Sequence, residues 1–148
     1  MMQARRSVGK LAEVVFRPPM SFEELSAFIA QVRGVVQAAE EPLVFVCDWR
    51  DVEQLDATFA DTIVWTMRRD NPRVLANGIL VGARNVAFSD HVEQLLREAK
   101  KPERQVFRHR ADLAAFLDPR LTREERRRRD LFLDDNGKVT ASPAVGRL

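Results

Sequence analysis

Leu43–Cys47 reads LVFVC, five apolar residues with no polar interruption, and the reading of this run decides the fold. A strand with one solvated face alternates apolar and polar residues. An unbroken apolar run is what a strand covered on both faces requires, as in a largely parallel sheet. Such a strand needs helices on either side of it, and the flanking sequence supplies them. Upstream, Leu11–Arg17 (LAEVVFR) centres on Val14, Val15 and Phe16 and is halted by Pro18 and Pro19, which have no N–H to give to a ladder. Ser21 and Glu24 then have capping-box spacing. Phe22, Leu25, Phe28, Ile29, Val32, Val35 and Val36 recur at helical intervals until Glu40 and Pro42.

Downstream, Asp48, Trp49, Arg50 and Asp51 read as a polar exit from the central strand. Asp56 opens a second helix carrying Phe59, Ile63, Val64 and Met67, with Trp65 expected on its apolar side and a basic end at Arg68 and Arg69; Asn71 and Pro72 stop it. Leu75–Val81 (LANGILV) predicts a third strand, weakened by Gly78. Ser89 or Asp90 predicts the cap of a helix containing Val92, Leu95, Leu96 and Ala99. Gln105–His109 predicts a short last strand and Ala111–Leu117 a helix with Leu113, Phe116 and Leu117 on one face. The order βαβαβαβα predicts an α/β fold: a mixed, largely parallel sheet with helices packed on it and right-handed crossovers between parallel strands.

At 148 residues, 45% hydrophobic and 31% charged, the chain has the size and balance of one folded domain. The expected organisation is a flexible N-terminus over residues 1–10 and the α/β domain over 11–118. A charged helical extension over 119–135 (containing LTREERRRRDLFLDD) and a disordered tail over 136–148 follow. No segment has the apolar length of a signal peptide or a membrane span. The single cysteine, Cys47, cannot form an internal disulfide and fits a reducing compartment, so the expectation is a cytoplasmic protein with no membrane partner. A net charge of +2 gives no electrostatic case for nucleic acid.

The stretch VFVCDWRDVEQLDATFADTIVW (44–65), within the layout from Leu11 to Leu117, resembles the STAS family, the anti-sigma-factor-antagonist type of domain. It is similar to that family's buried strand, short loop and Asp-Ser-Ser-Gly start of a helix, with Asp56, Ala57 and Thr58 at the first three positions and Phe59 at the glycine. The resemblance implies a non-catalytic protein-interaction module in bacterial signalling. It implies a protein partner, such as a kinase, an anti-sigma factor or another signalling protein, and makes Thr58 the phosphorylation candidate. The partner-binding candidates are Asp48, Trp49, Arg50, Asp51, Asp56, Thr58 and Phe59. Independently of the family, a phosphate on Thr58 would lie in the first turn of a helix, where unpaired N–H groups favour an anion and Asp56 and Asp61 oppose one.

Other chemistry is weighed against plainer readings. Cys47 with His91 or His109 would give a thiol and a base, yet cysteine at the end of so apolar a strand reads as a small buried hydrophobe. Asp48 and Asp51, at a central strand's C-terminal end, could serve a small enzyme or ligand-binding domain together with Cys47; capping of the loop is the simpler use of both. Arg126–Arg129 could meet phosphates, but Glu124, Glu125 and Asp130 dilute the run and read with it as a solvated helix face, which Leu131, Phe132 and Leu133 could pin to the domain. No Gly-rich phosphate loop, metal-ligand spacing or Gly-x-Ser-x-Gly elbow occurs, so the expectation is no enzyme, no cofactor and no metal, with a homodimer compatible.

Overall fold

β3 (Leu43–Trp49) occupies the centre of a five-stranded sheet whose spatial order is the chain order, β1–β2–β3–β4–β5. The structure is a computed structural model that describes the backbone of residues 1–145 and the side chains of residues 1–136. β2 (Leu11–Phe16), β3, β4 (Val74–Val81) and β5 (Arg104–Phe107) run parallel, and β1 (Met2–Arg6) lies antiparallel on β2 at one edge. The chain is therefore α/β, with a mixed, mostly parallel sheet.

The crossovers α1 (Phe22–Ala38), α2 (Ala57–Asp70) and α3 (Val86–Ala99) all cover one face, as expected when each step between neighbouring parallel strands has the same hand. Leu25, Phe28 and Val32 of α1, Ile63 and Met67 of α2, and Val92 and Leu96 of α3 pack there on Val14, Phe16, Phe45, Cys47, Ile79 and Val81. α4 (Arg110–Leu117) and α5 (Arg123–Val145) cover the other face. Leu113, Leu117, Leu121, Phe132 and Leu133 meet Leu11, Val15, Val44, Val46, Ala76 and Leu80 there. Each such aliphatic or aromatic side chain contributes about 1.5–3 kcal/mol on burial. The unbroken apolar run of β3 is thus explained by two separate cores, one for each side of its pleat.

Local chemistry sets the boundaries. The Ser21 capping box forms, with Glu24 N–H donating to Ser21 Oγ at 3.1 Å and Ser21 N–H donating to Glu24 Oε2 at 3.0 Å. α3 begins earlier than Ser89 or Asp90, because Asn85 is its cap, accepting from Phe88 N–H at 3.0 Å. Gly78 lies beneath α4: a Cβ there would stand 3.3 Å from Leu113 and Leu117, so the glycine lets helix and strand approach. Leu75 is half-exposed at a register shift between β3 and β4.

The N-terminus is ordered as a strand instead of flexible. A turn through Gly9, at φ 56°, returns the chain onto β2, so that Met2 pairs with Phe16 and Arg6 with Ala12. Met2 is buried, and the free edge of β1 is partly closed by Ala4 N–H donating to Gln31 Oε1 of α1 at 3.0 Å. α5 reaches Val145, past the expected end of the charged extension; the reading of residues 136–148 as a disordered tail lies largely outside the residues described with side chains.

Candidate functional site

The expected contact surface is divided by the sheet. Trp49 is the last residue of β3, not part of a loop, and the alternation that puts Leu43, Phe45 and Cys47 into the α1–α3 core carries Trp49 with them. It is 2% exposed, and its ring stacks on Phe16 with centroids 4.7 Å apart. Asp48 is buried and points to the opposite face. There it holds Arg50 through two bonds, Arg50 Nε to Oδ1 at 2.9 Å and Arg50 Nη2 to Oδ2 at 2.7 Å, and it also accepts the Arg50 N–H at 3.1 Å. Arg50 Nη2 donates further to the Leu133 carbonyl of α5 at 2.7 Å, so the pair fastens the C-terminal helix to the strand end. The bonds to Asp48 hold the Arg50 guanidinium still more firmly in its protonated form than usual. Asp51 follows, half-buried. Cys47 and Asp48 therefore face different cores, and the set Cys47, Asp48 and Asp51 does not converge on one point.

The second half of the expected surface is assembled at the start of α2. Asp56 is the cap, its Oδ1 accepting from Phe59 N–H at 2.9 Å, and Thr58 is exposed in the first turn. Phe59 turns inward and is buried, but its ring lies 4.9 Å from Phe22, which opens α1 and is 58% exposed where the helical pattern placed it in the core. Trp65 is likewise exposed, at 59%, against the expectation that it packs inside. Phe59, Ile63, Val64 and Met67 form the buried stripe of α2, and Trp65 lies two residues, about 200°, from Ile63. It shares the outer stripe with Thr58 and Thr62, and Arg69 lies over its ring at 5.3 Å. Of these two aromatics, Trp65 is the one that a strict helical wheel places outside.

Behind α2 lies an internal cavity of about 50 Å³ between that helix, α1 and the sheet. At the level of Phe45 its wall is polar. Arg104 donates to Asn71 Oδ1 at 2.9 Å, to Asn77 Oδ1 at 2.8 Å and to the Met67 carbonyl at 3.2 Å. Asn77 in turn donates to the Phe45 carbonyl and to Cys47 Sγ, each at 3.3 Å. Thr66 bonds the Thr62 carbonyl at 2.9 Å, and Asp70 is held by Arg69 at 2.9 Å. Burial pulls the Arg104 guanidinium down to about 10, so it stays charged at neutral pH. Burial also pushes the Cys47 thiol up to about 12, which removes it as a thiolate nucleophile. Toward the C-terminal ends of the strands the wall is aromatic, made by Phe16, Phe28 and Trp49. Among the described residues Trp49 Nε1 is the buried side-chain polar atom with no acceptor among the protein's own groups. No signal in the sequence points to Asn77 and Arg104 as partners.

The arginine-rich segment is partly engaged within the domain. Arg128 grips Glu13 at 2.6 and 3.0 Å, and Arg129 meets Asp118 at 2.5 Å. Arg126 donates to the Asp118 carbonyl at 2.8 and 3.1 Å. Glu13, buried inside β2, also accepts from Arg5 at 3.0 Å. Arg128 thus ties α5 to the sheet and Arg129 ties it to the Asp118 turn, while Glu124, Arg126, Arg127 and Asp130 keep the exposed face that the charge pattern suggested; Phe132 and Leu133 pin the helix and Leu131 stays half-exposed. Glu125 completes the attachment. Burial works against the ionised carboxyl, but bonds from the Thr122 and Lys10 N–H groups and from Lys10 Nζ outweigh that and hold it below the usual carboxylate range. Among the described residues no three His, Cys, Asp or Glu side chains gather as metal ligands, and no helix is long and apolar enough to cross a membrane. In comparisons with known proteins, no family model, no curated protein and no solved structure matches this chain.

Proposed function

We propose that this chain is a non-catalytic protein-interaction module of a cytoplasmic signalling pathway, of the kind its sequence resembles, and that it docks its partner on the outer face of α2. The observation that carries this reading is the exposure of Trp65, at 59%, on a helix whose other large apolar side chains are buried. A solvated tryptophan flanked by arginine is the side-chain combination that anchors protein interfaces. Phe22 extends the apolar area toward the start of α2. Thr58 lies on the same stripe as Trp65, two turns away, where an added phosphate would change the charge of the surface and find the N–H groups of the first helical turn. Trp49 and Phe59 lie in the core behind this surface, and Asp56 shapes its edge.

The test is affinity capture from the source organism's lysate with the wild-type chain, Trp65→Ala, Thr58→Glu and, as a control on the far side, Leu131→Ala. The partner is expected to be retained by wild type and Leu131→Ala and lost from Trp65→Ala. Equal capture by all four would refute the assigned surface.

A further inference from the structure

The outer edge of β5, we infer, is a docking groove for an extended acidic peptide segment of a partner protein, which joins the sheet as a further strand. The sheet leaves this edge open. Asn77 N–H donates to the Glu103 carbonyl at 2.9 Å, and in the parallel register Asn77 stands opposite Arg104 and Ile79 opposite Val106. The ladder to β4 therefore uses the backbone of Glu103 and Gln105, and Arg104 and Val106 turn theirs outward. Arg104 N–H is taken by the Lys101 carbonyl at 2.9 Å, which leaves the Arg104 carbonyl and the Val106 N–H and carbonyl facing away from the sheet. Among the described residues no strand lies beyond β5. Such a row of outward groups is a template for strand addition.

The side chains along the edge select what is added. A groove between α3 and β5 runs over Leu96 and Val106, and Arg97, Lys100 and Lys101 line it beside the buried Arg104. Lys100, which ends α3 in the left-handed region at φ 60°, is exposed and has no acidic partner among the described residues. The acids nearby answer the other cations loosely: Glu93 stands 3.8 Å from Arg97, and Glu103 3.8 Å from Lys101. Solvated pairs of that length contribute little and exchange readily for a partner's carboxylates. Ser89 and Gln105, also in the wall, are neutral. The same cations disfavour a second copy, since parallel pairing of two β5 strands would set lysine on lysine and antiparallel pairing would bring Lys101 toward the second Arg108. Side chains on one face of a strand recur at every second residue, as Arg104 and Val106 do. The matching segment therefore carries an aliphatic residue over Val106 and an Asp or Glu two places from it, toward Lys100 and Lys101. α3 separates this edge from α2, so the inference does not rest on the docking face around Trp65.

The probe is the peptide acetyl-ETVTE-amide, which has an acid two places from its valine in either strand direction, and acetyl-KTVTK-amide is its charge-reversed control. Both are titrated into the full chain while backbone amide signals are followed by NMR. ETVTE should give saturable shifts, with the Val106 N–H moving downfield as it gains an acceptor and the amides of α2 staying still. KTVTK should bind at least about fivefold more weakly. Lys100→Glu together with Lys101→Glu should reverse that order. Val106→Pro, which removes the outward N–H without breaking a bond to β4, should abolish saturation by ETVTE; if that variant does not fold, the lysine pair decides. The proposal is overturned if the Val106 signal does not saturate with ETVTE, if the two peptides bind equally, or if folded Val106→Pro binds as wild type does. It is also overturned if that signal moves on raising the protein concentration alone, which makes a second copy the occupant, or if it answers single-stranded oligothymidylate and not ETVTE, which makes the occupant a nucleic acid.

Discussion

Replacing Glu125 by glutamine should loosen the C-terminal helix in a pH-dependent way. The carboxylate accepts three bonds, from Lys10 N–H at 2.8 Å, Lys10 Nζ at 2.9 Å and Thr122 N–H at 2.8 Å. Glutamine keeps one acceptor oxygen. Whichever way its amide turns, at least one N–H donor loses its partner and the Lys10 ammonium loses its counter-charge. With charged hydrogen bonds contributing about 1.5–3 kcal/mol each, the expected loss is about 2–3 kcal/mol at neutral pH. The carboxyl of Glu125 is held below its ordinary range in the folded state. Its contribution is therefore present above the unfolded value, about 4.3, and is lost as the pH falls through the lower folded value. Urea unfolding followed by tryptophan fluorescence, at pH 7 and again at pH 3, measures both quantities. A difference from wild type below about 0.5 kcal/mol at pH 7, or an undiminished difference at pH 3, would refute the reasoning.

Gly78→Val should cost about 2–3 kcal/mol in thermal or urea unfolding, because even a Cβ would stand 3.3 Å from Leu113 and Leu117 and the valine methyls would push α4 off the sheet. The Cys47 thiol should resist alkylation in the native state at pH 8 and react only in denaturant. Because it is raised in the folded chain to about 12, its contribution is complete below pH 9 and is lost as the pH climbs from there, so Cys47→Ala should flatten the alkaline fall in stability measured by urea unfolding. The two tryptophans should differ sharply in the same assay, with Trp49→Ala costing about 3–5 kcal/mol. Trp65→Ala should stay within about 0.5 kcal/mol of wild type.

The helices and parallel strands were legible because their signals are local. Ser21 and Asp56 cap helices wherever the chain goes next, and an apolar run such as Leu43–Cys47 implies cover on both faces. β1 was not legible: MQARR carries two arginines, and what makes it a strand is its pairing partner, β2, reached through a turn at Gly9. The surface was half legible. Asp56 and Thr58 are where the pattern put them, yet the roles of the tryptophans were exchanged. The polar run from Asp48 suggested that β3 stops at Cys47, whereas two further residues continue its alternation and bury Trp49. For Trp65, hydrophobicity outweighed angle, although its offset from Ile63 places it outside. Nothing local could announce the cavity, since Asn77 and Arg104 lie on different strands and meet only through sheet register.

The clamp of α5 on the sheet also bears on how the chain is made. β2 and β3 leave the ribosome well before Leu121, Phe132 and Leu133, and the second face of the sheet, with Leu11, Val15 and Val44, belongs to the core those three residues help complete. Glu13 likewise waits for Arg128 with its carboxylate in the middle of that face. During synthesis this nascent chain therefore presents a half-built, adhesive sheet face until α5 emerges to cover it.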